Sequence, residues 1–180
     1  HNRVRRQRQM CIRDSLGSSY NIKLLETTEN KRSLSSSDSD NYLAVVGTVI
    51  YASDDATLYK SDDGGDTFST QTTGLTSGYH IKGLTAHGNL LYITANNGSA
   101  GEIETLTSTG TSTQKMSAAV YDKIFSLKGV LFVTIGNAIH QYDGDTTVGS
   151  AIVTLPPGEI FTDVCDAGAV VLATATDGRI

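Results

Sequence analysis

An all-β chain of repeated four-stranded antiparallel units is predicted by three observations: a composition suited to strands and turns, four copies of one apolar pattern, and a turn glycine recurring in each copy. The 180 residues include 18 Gly, 2 Pro and no Trp, with runs of Thr, Ser, Val, Ile and Tyr. β-Branched and aromatic side chains suit a pleated, half-buried surface, and glycine suits the turns between strands. No run reaches the roughly 18–20 uninterrupted apolar residues of a membrane helix, so no membrane insertion is expected.

Residues 1–15 stand apart from the repeats. Arg3, Arg5, Arg6, Arg8 and Arg13 place five of the fourteen basic residues in this short stretch. A basic arm of this kind can bind nucleic acid. The order Arg5-Arg6-Gln7-Arg8-Gln9-Met10-Cys11-Ile12-Arg13-Asp14-Ser15, however, resembles the translation of an adapter used in transposon-based sequencing libraries. Residues 1–15 are therefore read as a non-native, adapter-derived segment and set aside. Without its five arginines and Asp14, nine basic and eighteen acidic residues remain, a net charge of −9. That balance argues against a nucleic-acid partner, because phosphate-backbone binding needs clustered positive charge. Cys165 is then the one remaining cysteine, which leaves no intrachain disulfide; in its apolar strand it reads as a buried hydrophobe.

Residues 16–40 follow as the outer strands of a preceding unit and a linker, with strand-like runs at 20–28 and 31–36. Four copies of the repeat come next, each an apolar run, a glycine turn and a second apolar run. They read Tyr42 to Ala52, Leu84 to Thr94, Phe125 to Thr134 and Val164 to Thr174. Their turn glycines, Gly47, Gly88, Gly129 and Gly168, are spaced 41, 41 and 39 residues apart. Each sits where a tight hairpin needs positive φ. Third and fourth strands fit the remainder of each copy, as at Ala138 to Tyr142 and Ser150 to Leu155.

A four-stranded unit of about 41 residues has the size of a β-propeller blade; β-helix coils are shorter and sandwich domains longer. The boundaries expected are blades at 41–79, 80–121 and 122–158, and the start of a further blade at 159–180. Because rings close with about 4–8 blades, the expected object is a partial propeller truncated at both ends. Open ends leave strand edges and apolar faces unpaired, so residues 16–180 alone are expected to aggregate or pair.

The first full blade carries Leu58-Tyr59-Lys60-Ser61-Asp62-Asp63-Gly64-Gly65-Asp66-Thr67-Phe68. Ser61, Asp63, Gly65, Thr67 and Phe68 match the pattern S-x-D-x-G-x-T-[FW]. An aspartate there can accept backbone N–H groups, the glycines let the chain fold over, and the phenylalanine can tuck beneath the hairpin. In this motif the chain resembles the BNR, or Asp-box, repeat β-propellers. That superfamily is sialidase-like and also includes xyloglucan-type glycoside hydrolases and the photosystem II assembly and stability factors. The resemblance covers about residues 20–180 by repeat pattern and one blade by strict motif. It implies a box on the outer turn of the blade, structural and remote from any central site, and an extracellular or periplasmic location. The second and third blades hold only remnants, at Ser108-Thr109-Gly110-Thr111 and Asp143-Gly144-Asp145-Thr146.

Catalytic chemistry has little to draw on. A sialidase-like site needs an arginine cluster for the substrate carboxylate, and beyond residue 15 the chain has only Arg32 and Arg179. Paired carboxylates could come from Asp122, Glu159, Asp163 and Asp166, which as residues of blade loops read more simply as solvated turns. His80, His87 and His140 lack metal-ligand spacing, and the acidic turns 62–66 and 143–145 lack that of a calcium loop. Tyr51, Tyr59 and Tyr92 fit packing between blades better than a sugar-binding surface. No catalytic, metal or cofactor-binding residue is therefore assigned. The expected function is a non-catalytic binding or assembly module whose loops face a protein or glycan partner. The alternative is a fragment of a secreted, sialidase-like or xyloglucanase-like glycoside hydrolase.

Overall fold

The computed structural model describes residues 41–166 and 171–176, with the backbone only of Cys165, Asp166, Val171 and Leu172. The adapter-like segment, residues 16–40, Gly168 and Arg179 lie outside the described residues. Every regular element within them is a strand. β1 (Leu43–Val46), β2 (Val49–Asp54), β3 (Thr57–Ser61) and β4 (Ser69–Gln71) form one sheet. A second contains β5 (His80–His87), β6 (Leu90–Asn96), β7 (Gly101–Thr107) and β8 (Ser112–Met116). A third contains β9 (Tyr121–Leu127), β10 (Val130–Ile135), β11 (Ala138–Tyr142) and β12 (Val148–Thr154). β13 (Phe161–Asp166) and β14 (Val171–Ala175) pair as a two-stranded sheet. Within each sheet neighbours in sequence are neighbours in space, and all pairs run antiparallel.

Two-residue turns close the first hairpin of each four-stranded sheet. Gly47 at φ 63° and Gly88 at φ 58° hold the first turn position, whereas the third hairpin places Lys128 at 51° and Gly129 at 76°. One positive φ followed by an ordinary residue, or two in succession, are the two tight-turn solutions whose twist matches antiparallel strands. The glycine spacing in the sequence is thus the spacing of equivalent hairpins.

The first strands of successive sheets, β1, β5, β9 and β13, lie against one another, which places them innermost. Lys123, early in β9, reaches past the second sheet to the first, its Nζ 5.4 Å from the centre of the Tyr42 ring. A third-sheet side chain can meet the first sheet only if the inner strands converge around an axis. These are blades of a β-propeller.

Cores fill the gaps between blades. Ala44, Val46, Val49, Tyr51 and Leu58 of the first blade pack against Ile81, Leu84, Leu91, Ile93 and Leu106 of the second. The other face of the second blade presents Tyr92 and Ile103 to Tyr121, Ile124, Leu131, Val133 and Tyr142 of the third. Tyr92 meets Tyr142 edge to face, with ring centres 6.2 Å apart, an arrangement favoured by the ring quadrupoles. Tyr51 and Tyr92 are therefore inter-blade core residues, and Tyr59 is buried as well.

Polar contacts seal the same seams. The Asp55 carbonyl accepts the Ile81 N–H at 3.0 Å, and Thr94 Oγ1 donates to the Asp122 carbonyl at 2.9 Å. Ser126 N–H reaches Thr85 Oγ1 at 3.1 Å, and Tyr92 OH donates to the Gly144 carbonyl at 3.1 Å.

Candidate functional site

The strand order gives the propeller two unlike ends. One carries the β1–β2 and β3–β4 turns and their equivalents. The other carries the middle turns at 55–56, 97–100 and 136–137, the segments crossing from one blade to the next, and the starts of the inner strands. Tyr42, His80, Lys82, Asp122, Lys123 and Asp163 lie at or near those starts, at the polar end of the inner strands, its mouth.

The mouth is built from contacts that cross blades. His80 Nδ1 pairs with Asp55 Oδ1 of the preceding blade. Asn96, buried at the end of β6, donates from Nδ2 to the Tyr121 carbonyl at 2.6 Å and to Asp122 Oδ1 at 3.3 Å. Burial pushes the Asp122 carboxyl above its ordinary value, opposed by the Asn96 hydrogen bond and by the charges of Lys123 and Lys82. The charges of two ammonium groups thus act on one carboxylate at this end. Lys123 is also held by the Tyr42 ring face, a cation–π contact.

Of the carboxylates singled out in the sequence, Asp122 and Asp163 fall near the mouth, and Glu159 lies on the segment leading to it. Asp166 ends β13 at the opposite end of the blade, opposite Val171. The four are thus not gathered at one end. Of the histidines, His87 Nδ1 lies 2.8 Å from Ser126 Oγ and His140 Nδ1 lies 2.9 Å from the Gly149 carbonyl. Among the described residues no three His, Cys, Asp or Glu side chains converge as metal ligands, and no helix is long and apolar enough to cross a membrane.

Ser61, Asp63, Gly65, Thr67 and Phe68 lie on or beside the β3–β4 turn, at the end away from the mouth. Asp63 Oδ1 accepts Ser61 Oγ–H at 2.7 Å and the Thr67 N–H at 2.9 Å. Oδ2 accepts Thr67 Oγ1–H at 2.6 Å, while Ser61 Oγ accepts the Gly65 N–H at 2.8 Å. Phe68 is only half-buried, because the turn extends beyond the edge of the sheet and leaves the ring partly in solvent.

The corresponding turns of the next two blades keep a clasp of the same reach. Asp143 Oδ1 accepts the Thr147 N–H at 3.0 Å and the Asp145 N–H at 2.8 Å. In the second blade a hydroxyl does the work of the carboxylate: Thr107 Oγ1 accepts the Thr111 N–H at 3.0 Å. The second-blade clasp begins one residue before the remnant visible in the sequence, at Thr107 and not at Ser108.

These hydrogen bonds hold the Asp63 carboxyl well below the ordinary aspartate range, the Thr67 hydroxyl contributing most. A depressed folded value means that stabilisation is present above the ordinary pKa and lost as pH falls through the folded one. Asp63→Asn is therefore expected to lower the urea midpoint at neutral pH and to lose less stability on acidification than the parent chain. Added salt should weaken the difference, since the group is exposed. Denaturation curves at several pH values read both effects.

Sequence reasoning overlooked Glu102 and Glu104, which alternate with Ile103 on β7 and are each 1% exposed. Charged residues alternating with an apolar one read as the solvent face of a half-exposed strand. In a propeller blade both faces are covered, so the same pattern places carboxylates inside.

No protein-family model matches the chain, and no curated protein does. Among solved structures the chain is similar to one described as "YCF48 bound to D1 peptide", with a TM-score of 0.51 and 19% sequence identity. The match covers 66% of this chain and 46% of that one, so this chain spans under half of the neighbour's length. The likeness supports the propeller fold.

Proposed function

We propose that this chain is part of a non-catalytic propeller that binds a protein partner, and that the partner docks at the mouth formed by Tyr42, His80, Lys82, Asp122 and Lys123. The observation that carries this reading is the gathering of charged and aromatic side chains from three successive blades at one end of the inner strands. Rigid strands hold them, and neighbouring loops add backbone donors and acceptors, an arrangement suited to recognising a peptide. The solved neighbour described as bound to a peptide supports the same class of partner.

The Asp-box reading of Ser61, Asp63, Gly65, Thr67 and Phe68 belongs to this proposal as a structural element. Its side chains are engaged with their own turn, at the end away from the mouth. A glycan at the mouth is the second form of the binding hypothesis. The hydrolase alternative draws on one observation, the raised carboxyl of Asp122, since a protonated carboxylic acid is what glycoside cleavage requires.

A peptide library displayed on a surface and probed with the purified chain tests the proposal. Lys82→Glu with Lys123→Glu should weaken the retained peptides by about tenfold or more, while Lys128→Glu, at the other end, should leave them bound. Retention indifferent to the double substitution would remove the mouth as the docking site. Turnover of a glycan panel that disappears in Asp122→Asn would favour the hydrolase.

A further inference from the structure

The segment crossing from the first blade to the second is fastened by the buried glutamates of β7. Glu102 Oε1 accepts the Thr76 N–H at 2.6 Å, and its Oε2 accepts Thr76 Oγ1–H at 2.8 Å and Gln114 Nε2–H at 2.6 Å. Glu104 Oε1 accepts the Gly74 N–H at 2.8 Å and the Ser112 hydroxyl. Gly74 fits because it has no side chain: a Cβ there would stand 2.4 Å from Glu104 Oε1.

The two carboxylates differ in one respect. Both Glu102 oxygens receive donors, whereas Glu104 Oε2 is buried with no hydrogen-bond partner among the described residues. A buried oxygen that carries charge and receives no donor is costly, and a proton on it removes most of that cost.

We propose that Glu102 and Glu104 form a proton-linked latch between the first two blades, in which Glu102 holds the crossing segment as a carboxylate and Glu104 holds it as a neutral acid with its proton on Oε2. Among the described residues the surroundings supply no compensating base. β6 opposes the pair with Ala95 and Ile93, β8 offers Ser112 and Gln114, and the crossing segment offers Gly74 and Thr76. Lys115 of β8 pairs with Asp145 at 3.0 Å, and Lys60 of β3 pairs with Asp62 at 3.1 Å. Burial is the main effect raising the Glu104 carboxyl, the Ser112 and Gly74 hydrogen bonds oppose it, and the charge of Glu102 adds to burial.

The linkage runs opposite to that of Asp63. A carboxyl raised on folding gives its full stabilisation below the unfolded value and loses it as pH rises through the folded value. Because the latched segment borders the mouth, loosening it at higher pH frees a loop of the proposed binding end.

Urea denaturation of the full chain and of Glu104→Gln, across about pH 4 to 8, tests the latch. The parent's midpoint should fall relative to that of Glu104→Gln as pH rises, since glutamine keeps the acceptor for Gly74 and cannot ionise. A constant difference across that range would overturn the proposal. Should the variant fail to fold, carboxyl ¹³C titration of the parent chain decides. One glutamate titrating above the ordinary range supports the latch, and all glutamates at or below it contradict it. A calcium-dependent rise in midpoint that Glu104→Gln abolishes would put a cation on Oε2 in place of the proton and would also overturn the proposal.

Discussion

Replacing Gly83 with alanine is expected to destabilise the chain by about 1–3 kcal/mol, a large share of the roughly 5–15 kcal/mol that holds a typical domain folded. Gly83 lies on β5, where the inner strands of the second and third blades come together. A Cβ there would stand 2.8 Å from the backbone N of Ile124, 2.8 Å from Thr94 Oγ1 and 3.3 Å from Lys123 Cα. Two of these atoms are backbone of β9, so no side-chain rotation clears the space. The strand must move outward, lengthening the Thr94 hydrogen bond to Asp122 and opening the mouth. Gly149→Ala is the control, because its Cβ would meet only the Gln141 carbonyl at an ordinary 3.5 Å. That substitution should stay within about 0.5 kcal/mol of the parent. Urea midpoints of the two variants should separate clearly, and coincident curves would mean that the inner strands are not packed as described.

Removing Glu102 is expected to cost about as much by a different route. Glu102→Ala deletes the acceptor for two donors from Thr76 and one from Gln114, and leaves the Thr76 N–H facing a space where its partner stood. Hydrogen bonds to a charged group contribute about 1.5–3 kcal/mol each, but neighbouring bonds do not add, so a total near 3 kcal/mol is expected. The loss should be local as well as global. Amide exchange should accelerate at Gly74 and Thr76 before it does in the β9–β10 hairpin. Uniform acceleration would show that the segment is held by something other than this carboxylate.

Much of the blade architecture was legible because it depends on short-range rules. Gly47, Gly88 and Gly129 announced themselves by spacing, since only a few turns join antiparallel strands and most of them need positive φ. The Ser61 to Thr67 clasp was legible for a similar reason, as its donors and acceptors lie within four residues of one another. The Thr107 clasp was harder to see, because a hydroxyl can replace a carboxylate and leave no motif.

The mouth was not legible. His80 meets Asp55, Asn96 meets Tyr121 and Lys123 meets Tyr42 through ring geometry, which brings together residues that no local pattern links. Asp122 was singled out as one of four candidate carboxylates, but the asparagine and the two lysines that act on it were passed over. Glu102 and Glu104 were missed because alternation reveals which residues share a face and not whether that face is covered.

Lysine footprinting of the chain, with and without a peptide retained from the library, tests the central claim most directly. The account predicts that Lys82 and Lys123 become protected from acylation in the complex, while Lys128 at the opposite end reacts at the same rate in both. Protection of Lys128 with Lys82 and Lys123 unchanged would place the partner on the other end and contradict the assignment of the mouth.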